Sequence, residues 1–443
     1  MKRKSIAAVD GIQSDQVPPE IVEGYCPREF ADVNTEHGVY CRVHRIGELA
    51  PTHRRPILVR GFANYYGGYA EHTRAVLEGL HATAQYAPKL STIPSPIDVD
   101  PLLSQRLGWF ERNPMWIRDG SPTLTIAGPG YMQKQHHIGT GPQIGWTMIE
   151  TLRAQKRVIE WCKDPDMLLL PTEVDMGRFG GIHNIELCPL GYDPEIYHPN
   201  VRPMNIREIE GRFVFGYVGS WNARKGIHDI VKAYVQEFSH HDPVTLLLFS
   251  KYATRKHGPS KEDDTQWSME YELQQCLREC GYDDYSAAPH IAIIDVPVHP
   301  VAVAPIMANF NALVGFSAGE STWLPGLHAG AMNIPIIQLA SKCSGFMDYL
   351  GGSELLCRDV KYVEATENNA LGAGTSEYYI GERLAVGNVK ELQGKMRILY
   401  SQTHSVEHSR RVSNSVQQVA KNVAPRTWLT STRVLSSLMA RFY

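Results

Sequence analysis

Two short segments in the second half of the chain place charged residues between an apolar run and a helical stretch. The first reads GSWNARKG and puts Arg224 and Lys225 shortly after a run that ends at Gly219. Free backbone N–H groups at a helix start, the positive end of the helix dipole and two cations would together bind a diphosphate. The alternative interpretation of these residues is a solvated basic turn.

The second segment reads GFSAGESTWLPGLHAGAMN, and its proline suits the first turn of a helix that follows the polar loop. We expect the backbone N–H groups of Thr322, Trp323 and Leu324 to hold a phosphate at this helix start. Glu320 would then be available to accept hydrogen bonds from sugar hydroxyls. The alternative is a capped connection in which Glu320 only interacts favourably with the helix dipole.

Two further polar pairs carry a weaker signal. Asp98 and Asp100 could bind a metal ion, but no clear strand precedes them and such pairs are common by chance, so no metal site is predicted. His136 and His137 lie between two strands of the first half, where they could face a second substrate. A structural or surface role is the alternative for these two histidines.

Short apolar runs alternate with helical stretches, a pattern typical of an α/β fold with doubly wound parallel sheets. In the second half we predict strands at 213–219, 245–250, 290–295, 311–317, 334–340 and 354–357, and helices at 226–238, 267–280, 300–310 and 325–332. In the first half we predict strands at 55–61, 122–128, 143–148, 166–171 and 186–189, and helices at 69–85 and 150–162. Residues 1–50 have no assignment, and the Gly and Asn content of 362–379 predicts a mobile loop.

A proline-rich stretch at 189–205 separates the two series and is typical of a linker. We therefore predict a Rossmann-like domain over 1–198, a linker over 199–211 and a second Rossmann-like domain over 212–422. The helical periodicity of 423–443 predicts a C-terminal helix that packs back on the first domain.

Composition argues against several classes of protein. Lys and Arg number 44 against 47 Asp and Glu, and a net charge of −3 provides no large basic field for a nucleic acid or an anionic membrane. The eight cysteines are scattered and are expected to be reduced thiols of a cytoplasmic protein. The first apolar stretch is too short for a signal peptide and prolines interrupt the most apolar window, 296–316, so neither export nor a membrane span is predicted.

Four segments, in order along the chain, resemble the retaining glycosyltransferases of family 4, which have the GT-B fold. GSWNARKG is similar to the family's phosphate motif, and ESTWLPGLHA is similar to its Glu-x7-Glu motif. GGYAEHTRAVLEGL, after the first strand, resembles the family's glycine loop on the acceptor side. The segment from TMIETLRAQKRVIEWC to PLGYDPEIYHP is similar to the part that leads into the interdomain linker. The resemblance therefore extends across most of the chain.

This resemblance implies two Rossmann-like domains facing each other across a cleft, with the donor bound mainly by the second. A hexose would move with retention from a nucleotide diphosphate sugar, such as UDP- or GDP-hexose, to a hydroxyl, without a metal or other cofactor. Arg224 and Lys225 would neutralise the leaving diphosphate, and Glu320 would orient the sugar. The implied donor-binding residues are Gly219, Ser220, Ser321, Thr322, Trp323, Leu324 and His328.

The acceptor would be selected by Gly67, Gly68 and Tyr69 together with the loop that carries His136 and His137. Glycines allow backbone N–H groups to approach a bound sugar closely. A glycan, a lipid-linked molecule or a small molecule is the expected acceptor. DNA is the alternative acceptor, because the chain begins with the basic residues MKRK and contains the basic stretch KYATRKHGPSK.

Two residues depart from the family pattern. Ser220 stands where the family has an Arg, and His328 stands where the family has the Glu that holds the nucleotide ribose. An imidazole offers one acceptor nitrogen where a carboxylate offers two oxygens. A non-catalytic relative that binds nucleotide sugars or glycans therefore remains an alternative. A different enzyme class on the same architecture, such as an epimerase or a phosphorylase, is a further alternative. A nicotinamide dehydrogenase is not expected, because no G-x-G-x-x-G follows a predicted strand.

Overall fold

The computed structural model describes most of the chain from residue 54 onward. The described residues are 54–64, 67–94, 101–112, 119–252, 269–295, 298, 300–370 and 376–443. The carboxylate pair Asp98 and Asp100, the basic residues 1–4 and 253–261 and the unassigned residues 1–50 lie outside the described residues.

The chain forms two compact units. The N-terminal unit comprises Ala154–Ile196, Pro425–Tyr443 and the described part of Ile12–Ile149. Among the described residues, the C-terminal unit comprises Glu150–Arg153 and Tyr197–Ala424. The chain therefore passes from one unit to the other at more than one place along its length.

The N-terminal unit is built on a parallel sheet. Its strands are β1 (Arg55–Gly61), β2 (Tyr86–Thr92), β3 (Thr123–Ile126), β4 (Gln143–Trp146), β5 (Met167–Leu170) and β6 (Ile185–Leu187). They lie in the order β2-β1-β3-β4-β5-β6 and pair in parallel throughout. The helices are α1 (Gly68–Ala82), α2 (Pro101–Arg112), α3 (Lys156–Trp161) and α4 (Glu173–Arg178). β3, β4 and β5 are buried along their whole length, as expected for strands covered on both faces.

The C-terminal unit has a second parallel sheet. Its strands are β7 (Phe213–Trp221), β8 (Val244–Tyr252), β9 (Ile291–Ile294), β10 (Ala312–Val314) and β11 (Ile336–Ile337). They lie in the order β11-β10-β7-β8-β9. The helices that alternate with them are α5 (Ile227–Glu237), α6 (Met269–Glu279), α7 (Pro300–Met307), α8 (Leu324–Ala331) and α9 (Met347–Leu350). The two parallel sheets confirm the predicted α/β class with two Rossmann-like halves.

The residues after β11 add a small antiparallel ladder and further helices to this unit. The ladder pairs β12 (Val360–Glu364) with β13 (Arg383–Gly387). The helices are α10 (Glu367–Ala370), α11 (Ser376–Tyr379), α12 (Val389–Tyr400) and α13 (Val406–Val423). The mobile loop predicted at 362–379 is therefore wrong for the described residues. The polar residues of this stretch lie in an exposed strand and in short helices.

The last helix, α14 (Trp428–Met439), packs on the N-terminal unit as predicted. The ring of Trp428 stacks on that of His72 in α1, with centroids 5.8 Å apart. The hydroxyl of Tyr86 donates a hydrogen bond to the carbonyl of Ser436 at 3.0 Å. A Cβ on Gly79 would lie 2.1 Å from the hydroxyl oxygen of Thr432, so α1 and α14 approach closely at this glycine.

Three details of the predicted elements are corrected. The helix predicted at 150–162 is shorter, Lys156–Trp161, because Glu150–Arg153 belongs to the C-terminal unit. The strand predicted at 354–357 is not formed, and Cys357 makes only an isolated bridge with Leu339. β2 was not predicted, since its sequence YAPKLST has a proline and little apolar character. Among the described residues, no helix is both long and apolar enough to cross a membrane.

Candidate functional site

Each sheet has one place where the strand order reverses. In the C-terminal sheet it lies between β7 and β10, and in the N-terminal sheet between β1 and β3. In open α/β sheets a crevice forms there, outside the carboxyl ends of the strands, and ligands bind in it. Arg224 and Lys225 follow β7 and Glu320 follows β10, so these predicted residues lie at such a place.

The turn after β7 has a fixed backbone geometry. The Asn222 side chain accepts a hydrogen bond from the Lys225 N–H at 3.0 Å and begins the 3₁₀ turn Ala223–Lys225. Gly226 has a φ of +69°, and a Cβ there would lie 2.1 Å from the carbonyl oxygen of Phe316. Both features require glycine. Because α5 begins at the next residue, the two cations lie between the end of a strand and the start of a helix.

Glu320 brings the loops after β7 and β10 together. Its N–H donates to the carbonyl of Cys343 at 2.9 Å, which fixes the backbone. Its carboxylate accepts hydrogen bonds from the Lys225 ammonium and, at 2.8 Å, from the Ser317 hydroxyl. Arg224 Nη1 lies 3.6 Å from the second carboxylate oxygen, and the Glu320 side chain is only 6% exposed. The two cations and the carboxylate that were predicted to act together therefore form one buried cluster.

Burial and mutual attraction have opposite effects on these three charges. Burial alone would raise the pKa of Glu320, but Lys225 and Arg224 outweigh it and the pKa lies below its usual value. Burial dominates for Lys225, whose pKa is lowered despite the attraction of Glu320. Burial would also lower the pKa of Arg224, but Glu150 and Glu320 raise it above its usual value. Of the two cations, Lys225 therefore holds its proton less tightly.

The structure adds three residues that sequence reasoning missed: Ser317, Glu150 and Tyr379. Glu150 Oε1 lies 3.8 Å from Arg224 Nη2. The Tyr379 hydroxyl donates to Glu150 Oε2 at 2.5 Å, and the guanidinium carbon of Arg224 lies 5.9 Å from the centre of the Tyr379 ring. In the sequence, Glu150 stands out only because it lies in the TMIETLR segment, which resembles the family. That resemblance does not assign Glu150 a role in the site.

Gly219 and Ser220 lie within β7, which continues to Trp221, two residues beyond its predicted end. Both are half-buried. The Ser220 carbonyl accepts a hydrogen bond from the Tyr217 hydroxyl at 2.9 Å. A Cβ on Gly219 would lie 2.8 Å from that hydroxyl oxygen, so the Tyr217 side chain lies against Gly219. Neither residue supplies a charge to the cluster.

The predicted phosphate-binding residues at the start of α8 are buried. Ser321, Thr322, Trp323 and Leu324 are each at most 8% exposed. Trp323 has a φ of +52°, and the Tyr349 hydroxyl lies 2.8 Å from the carbonyl of Thr322. Within the described part of the chain, the Thr322 hydroxyl oxygen is buried and has no hydrogen-bond partner. Buried hydroxyls without a partner are uncommon in folded proteins, and a bound ligand is one way in which such a group is satisfied.

His328 lies in the middle of α8 and is 3% exposed. Its ring stacks on the ring of Tyr197, with centroids 3.7 Å apart and planes inclined by 8°. One face of the imidazole is therefore covered by an aromatic side chain of the same unit. The contact of His328 with a nucleotide ribose stays a prediction.

The predicted acceptor residues lie at the strand-order reversal of the N-terminal sheet. Gly67, Gly68 and Tyr69 follow β1 and begin α1, with Gly67 in extended backbone at a φ of −176°. His136 and His137 lie in the segment after β3 and are half-buried.

Contacts between the two loops support this placement. The ring of Phe62, after β1, meets the ring of Tyr131, after β3, at 5.7 Å, and Tyr131 lies 5.5 Å from the ring of His136. Arg60 donates a hydrogen bond to the His136 carbonyl. The loops that carry the predicted acceptor residues are therefore neighbours.

The arrangement has a definite chemical capacity. Two cations beside a helix start can bind phosphate oxygens, and a buried carboxylate can accept hydrogen bonds from hydroxyls. Among the described residues, no group of three or more His, Cys, Asp or Glu side chains is arranged to hold a metal ion.

No family model and no curated protein matches the sequence. Among solved structures, the chain is similar to sucrose-phosphate synthase from Thermosynechococcus elongatus, with a TM-score of 0.58 at 14% identity over 88% of this chain and 99% of that chain. It is similar to the E. coli trehalose-6-phosphate structure bound with UDP-2-fluoro glucose, with a TM-score of 0.55 at 11% identity over 87% and 98% of the two chains. It is also similar to an alpha,alpha-trehalose-phosphate synthase (UDP-forming) from Burkholderia xenovorans in complex with glucose-6-phosphate, with a TM-score of 0.56 at 11% identity over 88% and 100%. These likenesses show that the chain has the GT-B fold.

Proposed function

We propose that the protein is a glycosyltransferase that moves a hexose from a nucleotide diphosphate sugar to a hydroxyl acceptor. The observation that carries this proposal is the buried cluster of Arg224, Lys225 and Glu320 at the strand-order reversal of the C-terminal sheet. Its cations suit the phosphates of the donor, and its carboxylate suits the hydroxyls of the sugar. Two of the proteins with the same fold support the donor class, since one binds UDP-2-fluoro glucose and the other is described as UDP-forming.

In the proposed reaction the cations stabilise the leaving group. When the donor binds, Arg224 and Lys225 exchange part of their contact with Glu320 for phosphate oxygens. Charge that develops on the departing diphosphate then meets cations that are already in place and partly shielded from water. Glu320, released from Lys225, accepts hydrogen bonds from sugar hydroxyls and orients the ring.

We further propose that the anomeric configuration is retained and that no metal is needed. The bond between the anomeric carbon and the phosphate oxygen breaks, and a bond to the acceptor oxygen forms on the same face. The departing phosphate takes the acceptor proton. This part of the proposal is supported by the resemblance of GSWNARKG and ESTWLPGLHA to the motifs of retaining enzymes.

The start of α8 would hold the remainder of the donor. The buried Thr322 hydroxyl, which has no partner among the described residues, would bond to a phosphate or ribose oxygen of the nucleotide. His328 would contact the ribose. A UDP- or GDP-hexose is the proposed donor, and the UDP-forming synthase of the same fold favours testing UDP sugars first.

The acceptor would bind to the N-terminal unit, near Gly67, Gly68 and Tyr69 and the loop with His136 and His137. A glycan, a lipid-linked molecule or a small molecule is the proposed class. The Burkholderia xenovorans synthase, which binds glucose-6-phosphate, makes a sugar phosphate the first small molecule to test. Six of the eight cysteines lie among the described residues and none of these six is in a disulfide, which supports the proposed cytoplasmic location.

The test is mass spectrometry of the purified full chain with a panel of UDP and GDP hexoses, with and without excess chelator. The acceptor panel includes sugar phosphates, glycans, lipid-linked sugars and duplex DNA. We expect one donor to be consumed, a nucleoside diphosphate to be released and an acceptor to gain the mass of one hexose. Donor binding without turnover across the panel would favour a non-catalytic protein. Conversion of the donor sugar with no acceptor consumed would favour an epimerase.

A further inference from the structure

Residues Glu150–Arg153, here called the crossing segment, belong to the C-terminal unit although the residues on both sides of them belong to the N-terminal unit. The Leu152 N–H donates to the carbonyl of Arg383 at 2.9 Å. The carbonyl oxygen of Glu150 lies 1.8 Å from the position that a Cβ on Gly319 would take. The crossing segment therefore lies directly against the residue that precedes Glu320.

A buried ion pair in the N-terminal unit holds the residues on both sides of the crossing segment. Arg178 Nη1 donates to the carbonyl of Ile149, and the carbonyl of Arg178 accepts from the Ala154 N–H at 3.3 Å. Arg178 pairs with Asp175 at 2.7 Å, and the two side chains are 2% and 0% exposed. The Thr172 hydroxyl donates to Asp175 at 2.8 Å. These bonds fix the points at which the chain leaves the N-terminal unit and returns to it.

The crossing segment gives Arg224 a second carboxylate. Arg224 lies between Glu320, at 3.6 Å, and Glu150, at 3.8 Å. The Tyr379 hydroxyl bonds to the other carboxylate oxygen of Glu150, which restricts how that carboxylate can turn. Two carboxylates therefore face the two cations Arg224 and Lys225, and the formal charges of the cluster cancel. An anionic ligand that enters this cluster meets repulsion from Glu150 as well as attraction from the cations.

We propose that Glu150 is a positioning residue of the donor site, which aligns Arg224 for the diphosphate and weakens the binding of anions to the empty site. The kinetic part of this inference rests on the proposed transfer reaction. The binding part requires only that the cluster accepts a diphosphate. A merely structural role for Glu150 would lower affinity and rate together, whereas a positioning role changes them in opposite directions.

Glu150→Gln keeps the shape of the side chain and removes its charge. Glu160→Gln is the matched control, since Glu160 is 65% exposed and pairs with Lys163. We expect Glu150→Gln to bind inorganic pyrophosphate and UDP about fivefold more tightly in calorimetry, because a net positive charge is left in the cluster. We expect its kcat to fall about tenfold, because the guanidinium is less well aligned, with a lower KM for the donor. The control should match the wild type in both measurements.

A second variant separates charge from alignment. Tyr379→Phe keeps the ring beside Arg224 and the charge on Glu150, and removes only the hydroxyl that orients that carboxylate. We expect kcat to fall while pyrophosphate affinity changes less than twofold. Unchanged or weaker pyrophosphate binding by Glu150→Gln would overturn the inference, as would no pyrophosphate binding by either protein. If the wild type transfers no sugar, the proposed function fails, while the pyrophosphate measurement still decides the role of Glu150.

Discussion

Lys225 donates a hydrogen bond to the buried carboxylate of Glu320, although 95 residues of chain separate the two. The pair joins the loop after β7 to the loop after β10, at the place where the strand order of the C-terminal sheet reverses. The same two residues are proposed to hold the donor. Their interaction therefore affects both the stability of this unit and its function.

The first prediction concerns stability. Removing one member of a buried ion pair leaves an uncompensated charge, whereas replacing both members avoids that cost. We expect Lys225→Met to lower the free energy of unfolding by about 2–3 kcal/mol, at the low end for buried pairs because the Lys225 side chain is 20% exposed. The double variant Lys225→Met with Glu320→Gln should recover most of this loss. Urea denaturation of the wild type, Lys225→Met, Glu320→Gln and the double variant measures the coupling between the two residues, and purely additive effects would contradict the buried pair.

The second prediction concerns Gly226. Gly211 provides a matched control, because its φ is +72° and a Cβ there would meet nothing within 4 Å. Gly211→Ala should cost about 1–2 kcal/mol through the left-handed backbone alone. Gly226→Ala should cost at least twice as much, because the new methyl group would also clash with the Phe316 carbonyl. Equal midpoints of urea unfolding for the two variants would show that the turn after β7 can move aside.

The third prediction concerns pH. His72 is fully buried, with its ring 4.2 Å from that of Trp146, and burial lowers its pKa to about 3. Since the pKa in the unfolded chain is about 6.5, unfolding takes up a proton between these two values. The stability of the N-terminal unit therefore falls as the pH falls below about 6.5, by about 1.4 kcal/mol per pH unit from this group.

His72→Phe keeps an aromatic ring against Trp146 and removes the proton uptake. Tryptophan fluorescence during urea unfolding at several values between about pH 7 and pH 5 measures the effect. The difference in stability between variant and wild type should shift in favour of the variant as the pH falls. The exposed His183 provides the control, and His183→Gln should keep the wild-type dependence. A His72→Phe protein with the same pH dependence as the wild type would show that His72 is not buried as a neutral ring.

The fourth prediction concerns the nucleotide. If His328 contacts the ribose, His328→Ala should raise the donor KM more than it lowers kcat, as expected for loss of a ground-state contact. Because His328 stacks on Tyr197 at 3.7 Å, the cavity left by alanine will also cost stability. Tyr197→Leu disturbs the same stack from the other side and is the control. A similar rise in KM in both variants would indicate that packing, and not ribose contact, is responsible.

Part of this architecture follows from the sequence. The apolar strands β7, β8 and β10 and the amphipathic helix α5 were predicted because their periodicity reflects burial on both faces of a parallel sheet. The positions of Arg224, Lys225 and Glu320 followed from the same pattern, since carboxyl ends of parallel strands lie at one edge. Their direct contact depends on the strand order, which local sequence does not encode.

Other features were beyond sequence reasoning for physical reasons. Glu150 reaches Arg224 only because the chain leaves the N-terminal unit for the length of the crossing segment, a path that tertiary contacts determine. The helix predicted from residue 150 failed for the same reason. The antiparallel ladder of β12 and β13 has exposed residues such as Val363 and Val386, so its pattern lacks the apolar alternation of a half-buried sheet.

Lys225 and Glu320 are proposed to act on a nucleotide diphosphate sugar. The most direct measurement is the rate of nucleoside diphosphate release with the donor that the wild type consumes, compared among the wild type, Lys225→Ala, Glu320→Gln and Lys232→Ala. Lys232 lies on the exposed face of α5, outside the cluster, and is the matched control. We expect both cluster variants to lose about 10²-fold in rate, because a preorganised charge contact at a developing anion is removed, and the control to keep the wild-type rate. Folded cluster variants that release nucleoside diphosphate at the wild-type rate would contradict the account.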